Sequence, residues 1–360
     1  MTLVNRRRAA TVLSRSGIDA LVATTPPNVR YLLDWRPPAL GREPRPGRHW
    51  AILPADPSKP LGVVLAETDL VDLPADRLVG LEVRPGGPGA APLDEVLDAL
   101  GLAGGRIALD DPVAALALEA DGVYIAQPTG ADLFRRVRAV KTADEIERLR
   151  AAAEANAVAL RAALVVAEPL RPWRDVEDAW RREFASSGAE TVVWDSYLAD
   201  AYNPPSRPLG RHDPIGLLTA GALNGYWSEL GRVALVGDIL PKPEKYARAL
   251  AHAFDLVLPT LQPGTAIEDL APVVARACDE AGLPDQPWPP LRGIGIERAE
   301  LPAVGVPWEN VLEPGNVVVL SFAYREPGWA VLTLAEPVLI TATAPRRLSP
   351  LSLDLLVTRG

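Results

Sequence analysis

The stretch from Leu217 to Arg232, LLTAGALNGYWSELGR, constrains this chain more than any other. An apolar run leads into a Gly-containing turn. A second run follows and carries Ser-Glu and then an Arg. The pattern reads as two strands joined by a tight turn. The other elements of this half of the chain must form a sheet and helices that can pack around such a hairpin.

At 360 residues the chain is long enough for two domains. Hydrophobic residues make up 48% and charged residues 23%, the balance of a globular protein. A net charge of −9 argues against a nucleic-acid partner, because a surface of that sign repels phosphate. Cys278 is the only cysteine, so no intrachain disulfide can form, which fits a reducing compartment. The N-terminus lacks the apolar core and cleavage site of a signal peptide, and no apolar run would span a bilayer. The expectation is a cytoplasmic protein without a membrane partner.

Along the first third, helix and strand patterns alternate. A basic amphipathic helix covers Asn5 to Ser16, and Ala20 to Ala23 is a buried strand. Thr24-Thr25-Pro26-Pro27-Asn28 reads as a turn, and Val29 to Leu33 as the start of a short element. Arg36 to His49 is a loop rich in Pro, Gly and Arg. Strands are expected at Trp50 to Pro54, Leu61 to Ala66 and Arg106 to Leu109, and a helix at Leu93 to Leu100. This is an α/β pattern. Thr142-Ala-Asp-Glu145 is a capping box that opens a long Ala-rich helix to about Val166, and the domain boundary is placed just before it, giving domains 1–140 and 141–360.

In the second domain, helices are expected at Trp173 to Ser186, Pro243 to Leu261 and Ile267 to Ala281, with a strand at Glu190 to Trp194. Four short strand-like pieces close the pattern: Arg292 to Ile296, Val317 to Tyr324, Val331 to Leu334 and Pro337 to Thr341. Helices over a curved antiparallel sheet make this domain α+β.

These segments resemble, in order and spacing, the creatinase, prolidase and aminopeptidase P family. GIDALVATTPPNVRYLLDW resembles the opening of the family's N-terminal domain. VRAVKTADEIERLRAAAEAN resembles the helix that opens its catalytic domain, and GYWSELGR its second metal-hairpin strand. LQPGTAIEDLAPVVARACDEAGL, LRGIGIERAELP, LEPGNVVVLSFAY and LTLAEPVLIT resemble the segments that follow. The resemblance implies a pita-bread α+β domain preceded by a smaller α/β domain of the creatinase type.

It also implies a set of departures. The family binds two metal ions through two Asp, one His and two Glu. Hard divalent cations need several anionic oxygens to offset their charge. Here the first Asp falls on Thr219, in a hairpin one residue shorter, and the second on Glu229. The His falls on Arg292, a fixed cation that cannot ligate a metal. The two Glu fall on Ser321 and Ala335, with Glu336 beside the latter pointing to the opposite face by strand alternation. A further family His falls near Tyr202 to Pro205 and another on Ala299, although Glu300 remains. The expectation is no catalytic metal and no other cofactor.

Glu229 is the candidate general base, against the competing role of an ion pair with Arg232 or Arg292. Arg292 is the candidate for recognising a substrate carboxylate or stabilising charge, and Tyr202 for support. Ser321 is a nucleophile only if a base lies in reach, and a small polar strand residue otherwise. Thr219, Arg232, Glu300, Glu336 and Trp227 complete the expected pocket. Of the three His, His212 and His252 are expected to be structural. His49 closes the Arg-rich loop. In metal-free creatinase-like relatives the matching domain of a partner subunit reaches into the active site, so Arg48 and His49 are candidates to do so here in a homodimer. The leading function is a metal-independent enzyme related to creatinase or ectoine hydrolase, acting on a small polar, amino-acid-derived molecule by C–N bond cleavage or related acid/base chemistry. The alternatives are a biosynthetic enzyme using the same cavity for a cyclisation or elimination, and a catalytically silent binding protein.

Overall fold

The computed structural model describes residues 3–35, 49–66, 69, 80–86, 91–120, 125–127, 130–204, 206–284, 290–304 and 311–358. The chain divides into two compact units, Met1–Thr142 and Ala143–Gly360. The division falls at the start of the Ala-rich helix.

The first unit runs α1 (Arg6–Ser16), β1 (Ala20–Ala23), α2 (Pro26–Leu33), β2 (Trp50–Pro54), β3 (Leu61–Leu65), β4 (Leu81–Pro85), α3 (Ala91–Ala99), β5 (Ile107–Leu109), α4 (Pro112–Ala120), β6 (Ile125–Gln127) and α5 (Ala131–Ala139). The strands form one mixed sheet in the order β4-β3-β2-β1-β5-β6. Strands β1 to β3 are fully buried, which is why they read as continuous apolar runs rather than alternating ones. The turn expected over Thr24 to Asn28 is instead the beginning of α2. Pro26 and Pro27 occupy its first turn, where no N–H is needed and the fixed φ suits a helix. The Asp110 carboxylate accepts hydrogen bonds from the backbone and hydroxyls of Thr24 and Thr25 and from the Asn28 amide, fixing that entry.

The second unit begins with α6 (Ala143–Val166) and α7 (Trp173–Ser186). It continues through β7 (Ala189–Trp194), β8 (Tyr197–Leu198), β9 (Ala201–Tyr202), β10 (Pro214–Leu223) and β11 (Tyr226–Val236). Helices α8 (Pro241–Val257) and α9 (Leu270–Ala281) precede β12 (Leu291–Gly293), β13 (Glu300–Ala303), β14 (Val317–Glu326), β15 (Ala330–Leu339), β16 (Arg346–Arg347) and β17 (Leu356–Thr358). The main sheet runs β13-β12-β14-β15-β11-β10-β8-β9, with β7 paired to β10. The last two pieces of the sequence pattern are one strand. Pro337 lies inside β15 opposite Val319, and the register stays unbroken through Ala335 and Glu336.

The opening hairpin closes through Asn224 and Gly225, both at positive φ (49° and 81°), between the pair Leu223 and Tyr226. A two-residue turn with both φ positive matches the strand twist and sets the register of β10 against β11. Alternation then sorts the side chains. Ile215, Leu217, Leu230, Ala234 and Val236 pack with Trp173, Val176, Trp180 and Phe184 of α7 and the small residues of α6. Val318, Leu320, Phe322, Leu332, Leu334 and Val338 pack under α8 and α9. The helices thus cover one face, and the residues between those positions belong to the other.

Candidate active site

The strand registers assemble the open face. Arg292 of β12 stands opposite Val319 of β14, and Ser321 lies two residues further along that strand. Ser321 pairs with Ala335 of β15, and Ala335 with Gly231 of β11. Glu229, two residues before Gly231, shares its face. A Cβ on Gly231 would stand 2.5 Å from the Ala335 backbone nitrogen, so only glycine lets β11 and β15 approach this closely. Glu229, Arg292, Ser321 and Ala335 therefore lie on one surface, although they are more than a hundred residues apart at the extremes.

A chain of charges crosses this surface. One terminal nitrogen of Arg292 donates to both oxygens of Glu229, at 2.7 and 2.6 Å. Nε of Arg298 donates to Glu229 Oε2 at 2.7 Å. The other end of Arg298 meets Asp195 at 2.8 Å, and the Tyr202 hydroxyl donates to Asp195 at 2.9 Å. The Glu229 side chain is only 4% exposed, whereas Arg292 and Arg298 keep 24% and 30%. Burial opposes the charge on Arg298, but Glu229 and Asp195 more than offset it and hold the guanidinium above its usual range. The Tyr202 phenol is raised above its ordinary value of 10.0, first by its hydrogen bond to Asp195 and then by partial burial and the Asp195 charge.

Arg298 and Asp195 are the two members that sequence reasoning missed. Arg298 lies in the loop between β12 and β13, two residues before Glu300. That loop is tethered twice: Glu300 accepts from the Glu297 backbone N–H, and Gly295 accepts from the N–H of Trp227. Asp195 directly follows β7. A second Arg within six residues of Arg292 was a visible signal, but its partner emerges only from the register.

Several expected pocket residues lie elsewhere. Thr219 is paired across the hairpin with Leu230, not Glu229, and so faces the helices, where its hydroxyl donates to buried Asn156. The hairpin residue opposite Glu229 is Ala220, which has no donor atom. Arg232 pairs with Glu336, not Glu229, on the helix-covered face. Both are fully buried, and Arg232 also donates to the carbonyls of Leu351 and Ser352. Burial lowers Arg232 from the usual arginine range, with Glu336 opposing the shift. This ion pair clasps the C-terminal segment and is not part of the open face. Ser321 makes a long 3.4 Å bond to the Pro290 carbonyl, and no described residue supplies it with a base. Glu300 serves the loop that carries Arg298, and Trp227 shares the Glu229 face by alternation. Tyr202 is 56% exposed. In the first unit His49 is buried against Asp69, so it does not project outward as a reaching side chain would. Arg48 lies outside the described residues.

The donor set does not fit a pair of metal ions. Among the described residues no group of three or more His, Cys, Asp or Glu could hold a metal. On the open face Glu229 is the sole carboxylate at the positions inferred for ligands, and two guanidiniums already occupy its oxygens. Thr219, the position inferred for the first Asp, faces the helices and leaves Ala220 beside Glu229, and the remaining inferred positions present Arg292, Ser321 and Ala335; none of these supplies an anionic oxygen.

Comparison with known proteins places this geometry in a family. The chain is 24% identical over 233 residues to the Xaa-Pro dipeptidase of Pyrococcus furiosus, an alignment taking in 62% of this chain and 67% of that protein. It is 20% identical over 216 residues to an uncharacterized peptidase of Staphylococcus aureus, of which it spans 62%. The chain thus spans about two thirds or less of these curated relatives. Among solved structures, the Xaa-Pro dipeptidase from Bacillus anthracis superposes with a TM-score of 0.80 at 17% identity, covering 98% of each chain. The dipeptidase PepE from Mycobacterium ulcerans gives 0.77 at 23% identity, covering 99% of this chain and 97% of that one. These likenesses establish the pita-bread fold. The sequence profile of metallopeptidase family M24 matches residues 147–342, more than half of the chain, including Glu229, Arg292 and Arg298 and every strand of their sheet except β16 and β17, so this chain belongs to family M24.

Proposed function

We propose that this member of the family is a metal-independent hydrolase for a small polar, amino-acid-derived molecule, with Glu229 at its centre. The observation that supports this reading is the double guanidinium clamp on Glu229 in place of a ligand cluster. Glu229 Oε2 accepts two charged hydrogen bonds and Oε1 only one, so Oε1 keeps a lone pair. In C–N hydrolysis that lone pair takes a proton from water as the water oxygen bonds to the substrate carbon. Arg292 and Arg298 stabilise the negative charge that develops on the substrate. The proton then passes to the departing nitrogen as the C–N bond breaks.

The Xaa-Pro dipeptidases among its relatives make Xaa-Pro dipeptides the first substrates to try, followed by small guanidines and amidines such as creatine and ectoine. Hydrolysis should survive exhaustive chelation and disappear in Glu229→Gln. Activity that is lost with EDTA and restored by Mn²⁺ would defeat the proposal. A homodimer in which the first unit contributes to a partner's site belongs to the same proposal, and loss of activity on dilution to monomer would support it.

One observation favours a second reading, a binding protein without catalysis. Three charged hydrogen bonds already engage Glu229, which leaves little of the carboxylate open to a water molecule. Ligand binding without turnover of any member of the substrate panel would select this reading.

A further inference from the structure

Arg292 and Arg298 converge on one carboxylate, yet neither exhausts its donors on it. Arg292 uses a single terminal nitrogen, which leaves Nε and the other terminal nitrogen without a partner among the described residues. Arg298 uses Nε on Glu229 and one terminal nitrogen on Asp195, leaving the other terminal nitrogen likewise. Both side chains are about a quarter to a third exposed, so these donors are within reach of a solute. The pair is also held in advance. Glu229 fixes both guanidiniums from the buried side. Asp195 holds Arg298 from its far end and is itself held by Tyr202. The loop under Arg298 is pinned through Glu300 to Glu297 and through Gly295 to Trp227. A guanidinium ordered before the ligand arrives loses little freedom on binding, which is what gives a small anion measurable affinity.

We propose that Arg292 and Arg298 together form a subsite for the carboxylate of a small ligand, with Asp195 as the positioning residue that orients Arg298. Glu229 and Asp195 together balance the two cations, so what the subsite offers is not surplus charge but the guanidinium N–H donors left over on Arg292 and Arg298, which fit the two oxygens of a single carboxylate. The ligand class is a monocarboxylate whose neighbouring C–N group lies over Glu229. This rests on the proposed reading of the face as a ligand site, but not on turnover.

The test is binding, measured by calorimetry with N-acetylglycine, and with N-acetylglycinamide as the same molecule without the charge. The acid is expected to bind the wild-type chain and the amide is not. Arg292→Met and Arg298→Met should each weaken the acid by roughly tenfold or more, the loss of one charged hydrogen-bonding partner. Arg298→Lys retains charge but not the planar fork and should recover only part of the loss. Asp195→Asn should weaken binding less, and its effect should vanish in the Arg298→Met background, which a merely structural role would not produce. Arg248→Ala, on an exposed helix surface, should change nothing. Circular dichroism and melting curves separate unfolded variants from weakened ones. Equal binding of acid and amide, no binding of the acid, or undiminished binding in the folded Arg298→Met chain would overturn the subsite. Binding as described with no turnover of any substrate would leave the subsite standing and remove only the hydrolase reading.

Discussion

Glu229→Gln is the most informative single change to this protein. Glutamine has the volume of glutamate but no charge, and it turns an amide donor toward guanidiniums that are donors only. Two arginines would then face each other across a neutral group. Removing one partner of a fully buried ion pair costs about 3–5 kcal/mol, mainly because the charge left behind stays desolvated. Here the carboxylate is almost wholly buried, but the guanidiniums keep 24% and 30% exposure, so water can take over some of their bonds. That discount brings the expected loss to about 2–3 kcal/mol. For a unit the size of residues 143–360, each kcal/mol shifts the melting temperature by about 2–4 °C, so the expected fall is about 5–10 °C. Differential scanning calorimetry reads this directly. Adding Arg292→Met should recover part of the loss by removing one of the stranded cations. A Glu229→Gln chain that melts with the wild type would refute the clamp, because it would mean that Glu229 holds neither arginine in solution.

Three further outcomes follow from the same geometry. Arg232→Met should be more damaging, by about 3–5 kcal/mol, since Glu336 would remain fully buried without its cation; limited proteolysis should then release the C-terminal segment that Arg232 holds at Leu351 and Ser352. Gly231→Ala should cost about 1–3 kcal/mol by forcing β11 off β15, and chemical denaturation would show it. Tyr202 should ionise above its ordinary 10.0 in the wild type and closer to that value in Asp195→Asn, as followed by tyrosinate absorbance. The sign is that of a raised acid: the Tyr202–Asp195 bond contributes fully below the unfolded value and is lost as pH rises through the folded one.

The hairpin, the long helices and the two-domain order were legible in the sequence because they rest on local signals. Asn224-Gly225 announces its turn, and the run from Ala143 to Val166 announces its helix. Pro26 and Pro27 misled because proline suits both a turn and the first turn of a helix. The division within β15 misled because Pro337 looks like a strand breaker until its register is known. At the site, strand alternation was enough to put Glu336 behind the sheet. In the hairpin the same alternation turns Thr219 away and brings Ala220 beside Glu229, but only once the two-residue turn fixes the register. The partners of charged residues were the least legible feature. Glu229 had Arg232 three residues away and Arg292 sixty-three residues away, and the register chose the distant one. Arg298 and Asp195 entered only through three-dimensional contacts, because nothing local distinguishes an arginine on a pinned loop from one in solvent.

Arg292 stands at the position inferred for the family's His ligand and, with Arg298, occupies both oxygens of Glu229, so the proposed reading is a chain that retains no metal. Elemental analysis by mass spectrometry tests it most directly, on protein produced in medium supplemented with Mn²⁺, Co²⁺ and Zn²⁺ and then freed of loosely held ions by gel filtration. The expected result is a metal content far below stoichiometric, unchanged in Glu229→Gln. One or more equivalents of metal per chain, lost when Glu229 is replaced, would mean instead that Glu229 is a metal ligand.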